Sequence, residues 1–128
     1  MKTLAPYLVF PGNCRAAMEF YAQILGGEIK IMQPFAEAPF DVPENLGHRI
    51  FNSELQADGI IIKASDDLPS HPVNQGNHMS LYISFENEQK KIDVFEKMAK
   101  DGKVLFPITD NFGMLKDQYG VQWMMVHH

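Results

Sequence analysis

The sequence has a single cysteine, Cys14, in 128 residues. An internal disulfide is excluded, and a reducing compartment suits such a chain. Positive charge is scarce: 11 Lys and Arg stand against 16 Asp and Glu, for a formal net charge of -5. Nucleic acid and anionic membrane are poor partners for that balance, because both need clustered cations. The one basic cluster, Lys90 and Lys91 with Lys97 and Lys100, falls on the polar side of an expected helix and reads as a solvated face. No apolar run approaches the ~20 residues that span a bilayer. Pro6 and Pro11 interrupt the apolar segment near the start, so no signal peptide is expected and the cytoplasm is the expected location.

What is present is an ordinary globular composition, 45% hydrophobic and 21% charged. The length suits one domain with one good core. Tyr7 to Phe10 is a short apolar run closed by Pro11-Gly12, which predicts a strand and a turn. Asn13 stands where an N-cap belongs. Ala17, Phe20, Tyr21, Ile24 and Leu25 then recur at helical spacing, and Gly26-Gly27 supplies a left-handed stop. Glu28 to Gln33 alternates as a strand. Pro34 to Gly47 holds three prolines with Phe35 and Phe40 and predicts a long irregular loop, able to close over a ligand or to pack on a partner subunit. His48 to Leu55 and Gly59 to Ser65 read as a hairpin, and Asp67 to Gly76 as a linker.

The plan then repeats. Asn77 to Phe85 predicts a strand with His78, Ser80, Tyr82 and Ser84 on one face. Asn87 caps a helix whose stripe is Ile92, Phe95, Met98 and Ala99, and Asp101-Gly102 ends it. Lys103 to Pro107 is a short strand, and Phe112 to Lys116 with Val121 to Val126 forms a closing hairpin. His127 and His128 read either as native residues or as the start of a purification tag. The expected fold class is therefore α+β: two βαβββ modules, about 1–67 and 75–128 with a linker at about 68–74, forming a curved mixed sheet with an open cleft. An antiparallel sheet tolerates one packed and one open face.

Pro6-Tyr7-Leu8, Gly12-Asn13-Cys14-Arg15-Ala16-Ala17, Phe20-Tyr21, Ser65-Asp66, Phe112-Gly113-Met114 and the run Asp117 to Met124 resemble the PhnB-like branch of the vicinal oxygen chelate superfamily, also called glyoxalase/bleomycin-resistance/dioxygenase proteins. The resemblance covers nearly the whole chain and implies the same fold, a cleft and a homodimer. Some members carry a name referring to a demethylubiquinone methyltransferase, but no Gly-rich strand–turn–helix that would hold a methyl-donor nucleotide is present here. In metal-using members four inward side chains hold a divalent ion. Their positions map onto Pro6, onto one of Ile62 to Ala64, onto His78 and onto Met124. Only His78 is a ligand type for a hard or borderline cation, so no metal and no other cofactor is expected.

His78 is the candidate acid–base residue, since imidazole titrates near neutrality. A strand-end histidine bonded to a backbone carbonyl is the bland alternative. Leu8, Phe10, Lys63, Ser80, Tyr82, Gln122 and Met124 are the candidate cleft lining, with Lys63 a cation for an anionic ligand or else a solvated edge residue. Trp123 alternates with Met124 and is expected in the core. Eight methionines and nine phenylalanines favour a cleft that adapts to apolar ligands. Cys14 beside Arg15 is either an activated thiol or a small residue packed at a turn. His48-Arg49 reads as an anion site or a rim salt bridge, and His71 as an exposed linker residue. The reading that follows is a binder of a small, partly apolar organic molecule, with no nucleic-acid or membrane partner. The alternatives are a metal-independent lyase or isomerase using His78, and an antibiotic-sequestering resistance-type binder.

Overall fold

A computed structural model describes residues 2–128. It divides into two compact units, one running to Asn74 and the other spanning Gln75–His128. The first contains β1 (Tyr7–Phe10), α1 (Cys14–Leu25), β2 (Glu28–Pro34), β3 (Ile50–Ala57) and β4 (Ile60–Asp66). The second contains β5 (Leu81–Phe85), α2 (Glu88–Ala99), β6 (Lys103–Phe106), β7 (Gly113–Lys116) and β8 (Gln122–His127). Each unit is a four-stranded mixed sheet with one helix. The strand orders are β1-β4-β3-β2 and β5-β8-β7-β6. In both, the first strand pairs parallel with the last and the other pairings are antiparallel. The repeated sequence plan is thus a repeated topology. Among the described residues no helix is long and apolar enough to cross a membrane.

In the first unit α1 buries Cys14, Ala17, Met18 and Tyr21 against the sheet. Phe20, Ile24 and Leu25 are only half-buried, so the stripe is turned toward Cys14 and Met18 relative to expectation. Gly26 at φ +68° closes the helix, and the Gly27 N–H donates to the Ala22 carbonyl at 2.8 Å. Asn13 does not cap it with its side chain. The cap oxygen comes from the end of β4: Asp66 Oδ1 accepts from the N–H groups of Gly12 (3.0 Å) and Cys14 (2.8 Å), while its Oδ2 accepts from Ile50 N–H at 2.8 Å. A tertiary carboxylate satisfies these donors better than the neutral local amide, because charge-assisted bonds are the stronger ones. The 34–47 segment is not wholly irregular; it carries two short 3-10 turns, Phe35–Glu37 and Glu44–Leu46.

In the second unit Asn87 Oδ1 accepts from Lys90 N–H at 2.7 Å, a side-chain N-cap. The buried face of α2 is Lys91, Val94, Phe95 and Met98. Lys91 is a correction to the solvated cluster. Its residue is fully buried, and its ammonium donates to the Thr109 carbonyl at 2.8 Å. The long aliphatic stem fills space beneath the helix while the head reaches a carbonyl, which a hydropathy pattern scores simply as polar. Gly102 follows the helix, and a Cβ there would run into the Lys116 carbonyl oxygen. Strand β5 begins at Leu81, not at Asn77, so His78 and Ser80 precede it.

Candidate functional site

Which residues share a face is decided by strand register. In the second unit Trp123 lies beside Leu81 and Leu115, and Met125 beside Ile83 and Gly113. Trp123 is 1% exposed and Met125 fully buried, so this face packs under α2. The opposite, helix-free face carries Tyr82, Met124 and Met114 in one cross-strand row. Phe106 continues that row, and its ring meets Phe112 in a tilted contact with centroids 5.8 Å apart. Tyr82 is 63% exposed. Next to the row, Gln122 Nε2 donates to Ser80 Oγ at 2.7 Å, and among the described residues the Gln122 Oε1 acceptor has no hydrogen-bond donor, at one end of an apolar strip. Tyr82, Gln122 and Met124 therefore share the helix-free face, and Ser80 is tied to it. His78 sits exposed on a bend ahead of β5, and its ring makes no hydrogen bond or ion pair among the described residues. Among the described residues no side chain orients the His78 ring as the third group of a catalytic triad orients its base.

In the first unit the register corrects two expected lining residues. Leu8 lies beside Ala64, which lies beside Ser53. Ser53 faces α1, with its Oγ 3.6 Å from Cys14 Sγ. Leu8 is thus on the helix side, and so is Phe10, which is 1% exposed. All four residues of β1 are apolar, so alternation alone carried no label for its two faces. The residues opened by that correction are Tyr7 and Val9, with Lys63 and Ser65 beside them. Lys63 is on the helix-free face, but it is paired: its ammonium is 3.0 Å from Glu54. Hydrogen bonds from Gln56 and Lys63 hold the Glu54 carboxyl below its ordinary range.

A groove of about 460 Å³ also opens in this unit. Val9, Phe35, Phe40, Phe51 and Leu68 give it apolar walls, and Asp66, Asp67 and His71 line it too. The three phenylalanine rings sit 5.9–6.4 Å apart in tilted and edge-on contact. Phe35 and Phe40 come from the 34–47 segment. Phe51, on β3, is the member that sequence reasoning missed, since nothing local links it to that segment. Arg49 pairs with Asp67 at 2.7 Å, a salt bridge as one of the two readings of His48-Arg49 expected.

Of the four mapped metal positions only His78 carries a side chain that suits a divalent cation. Pro6 offers no side-chain donor. Of Ile62, Lys63 and Ala64 only Lys63 reaches the helix-free face, and an ammonium repels a cation. Met124 presents a thioether, a poor partner for a hard ion. Among the described residues no group of three His, Cys, Asp or Glu side chains converges.

Cys14 is not an activated thiol. Burial pushes its pKa up from 9.0 to about 12, the Asp66 charge adds to the rise, and the Ser53 hydrogen bond and Arg15 oppose it. Native protein should leave a disulfide-exchange reagent unconsumed until it is unfolded. The pH dependence has a definite sign. The folded chain keeps the thiol proton up to about 12, whereas the unfolded chain releases it near 9.0. This contribution to stability is complete below the lower value and is lost as pH rises between the two. The loss is at most about 1.4 kcal/mol per pH unit. Urea titrations of Cys14→Ala and the parent at pH 8 and 10.5 should show a smaller alkaline drop in the variant. Equal drops would contradict the assignment.

The sequence and the fold both have recognisable relatives. A family model described as 3-demethylubiquinone-9 3-methyltransferase matches residues 2–126. Protein PA1353 of Pseudomonas aeruginosa superposes with a TM-score of 0.90 at 31% identity, covering 100% of this chain and 98% of that one. A Bacillus cereus protein described as a putative 3-demethylubiquinone-9 3-methyltransferase, PhnB protein, superposes at 0.83 with 27% identity over 99% and 100% of the two chains. The fosfomycin resistance protein FosX of Listeria monocytogenes, solved with Mn(II), shares the fold at a TM-score of 0.66 and 8% identity, over 98% and 91%.

Proposed function

The chain belongs to the family described as 3-demethylubiquinone-9 3-methyltransferase, the PhnB-like branch of the vicinal oxygen chelate superfamily, and from that premise we propose that it binds a small, partly apolar organic molecule without a divalent metal. The observation that carries the reading is the helix-free face of the second sheet. There Tyr82, Met124 and Met114 form an adaptable apolar row, and the Gln122–Ser80 pair adds a polar end. Such a surface orients a molecule that has one hydrogen-bonding group and an apolar body. The donor chemistry at Pro6, Lys63 and Met124 supports binding without metal. Proton transfer by His78 gains no support from its exposed ring, which has no hydrogen-bond partner among the described residues. A homodimer is part of the proposal.

Native mass spectrometry of protein from its own cells tests all three points in one spectrum. The expected result is a dimer mass, an organic adduct and no metal. Tyr82→Ala, at an exposed position, should lower adduct occupancy about tenfold, as loss of an aromatic contact of ~1–2 kcal/mol implies. Stoichiometric Mn²⁺, Ni²⁺, Zn²⁺ or Fe²⁺, or an adduct indifferent to Tyr82, would overturn the reading.

A further inference from the structure

We propose that the groove in the first unit is a second binding site, for an organic cation whose ammonium head is fully alkylated. Its volume of about 460 Å³ falls within the ~300–1,000 Å³ of small-molecule sites. Three phenylalanine rings, Phe35, Phe40 and Phe51, meet at this groove with centroids 6.2, 5.9 and 6.4 Å apart. Clustered aromatic rings attract a cation through their quadrupoles, and the attraction grows as the cation leaves water. Phe40 remains 53% exposed, so its ring is available to a ligand.

The charges point the same way. Asp66 and Asp67 both line the groove. Arg49 pairs with Asp67, whereas among the described residues the side-chain oxygens of Asp66 are met only by backbone N–H groups of Gly12, Cys14 and Ile50. The positive end of α1 offsets part of that charge, and the remainder disfavours an anion. All four carboxylate oxygens already accept a hydrogen bond, the last of them Asp67 Oδ2 from Val73 N–H at 2.8 Å. Their pull on a ligand acts through space, without a free acceptor to offer. A primary ammonium loses its water contacts on entry and finds few replacements. A trimethylammonium head has no N–H to satisfy, and its methyl groups suit the rings. The head alone does not fill the groove, so the natural ligand carries an apolar body as well.

Choline and its neutral isostere 3,3-dimethyl-1-butanol separate charge from shape. Amide NMR titrations of the full chain should show choline shifting Phe40, Phe51 and Leu68. It should bind about fivefold or more tighter than the isostere, the share a ring–cation contact supplies. Ethanolamine, with a primary ammonium, should bind more weakly than choline. Phe40→Leu keeps apolar bulk and removes the ring. It should weaken choline about fivefold and leave the isostere within twofold. Tyr82→Ala, on the other unit's sheet, should change neither and so keeps this site separate from the one proposed above. Equal affinity for choline and the isostere, no choline shifts up to tens of millimolar, or indifference to Phe40→Leu would each overturn the proposal.

Discussion

Asp66→Ala is expected to destabilise the protein by about 4 kcal/mol, because three backbone N–H groups lose a charged acceptor at once. Asp66 is 4% exposed. It joins the turn before α1, through Gly12 and Cys14, to the first residue of β3, through Ile50. Each N–H left without a partner costs ~1–3 kcal/mol when buried, and water near exposed Gly12 recovers part of that. Asp66→Asn keeps one acceptor oxygen but turns an NH₂ toward a donor, so about half the loss is expected. Equilibrium urea unfolding reads both. A loss below ~1 kcal/mol for the alanine variant would mean that solvent takes over the carboxylate's bonds, and the stitching role would be wrong. Against a total stability of ~5–15 kcal/mol, a loss of the expected size also shortens the folded lifetime in cells.

The second unit has its own buried carboxylate, and Asp117→Ala is expected to cost about 3–4 kcal/mol. Asp117 is 3% exposed. Its Oδ1 accepts from the N–H groups of Tyr119 (2.8 Å) and Val121 (3.1 Å), which shapes the turn between β7 and β8. Its Oδ2 accepts from the indole N–H of Trp123 at 2.8 Å. The largest core side chain is thereby fixed to the turn that precedes its own strand. Trp123→Phe removes that donor and part of the buried area, and about 2 kcal/mol is expected. The double variant should lose less than the sum of the two, by about 1 kcal/mol, since one shared bond is counted in each single change. Strict additivity would show that the indole–carboxylate bond contributes nothing. Intrinsic fluorescence follows Trp123 directly, as it is the only tryptophan.

Much of the architecture was legible because its signals are local. Alternation with Gly and Pro punctuation marked the strands, and the βαβββ plan recurred as two sheets of identical strand order. Asn87 reads as a cap and acts as one. Alternation with Met124 sends Trp123 to the core, and the polar Gln122 at the start of β8, on the Met124 face, marks which face is open. Strand β1 has no such contrast. Tyr7, Leu8, Val9 and Phe10 are all apolar, so only pairing with β4 could send Leu8 and Phe10 to the helix and leave Tyr7 and Val9 open. Lys91 shows the matching limit for polar residues: a lysine in a charged run can still bury its stem when a carbonyl waits at the end of it.

The amino-acid sequence by itself determined the two repeated units, their helices and stops, the near absence of metal-binding side chains at the mapped positions, and the excess of negative charge. These depend on neighbours a few residues apart or on side-chain chemistry alone. Only the tertiary structure decided that Asp66 replaces Asn13 at the helix start, which face of β1 is open, and that Phe51 joins Phe35 and Phe40 around an acidic groove. Each of those brings together groups distant along the chain, and the free energy that selects them, from burial and charged hydrogen bonds, does not exist until the strands have paired.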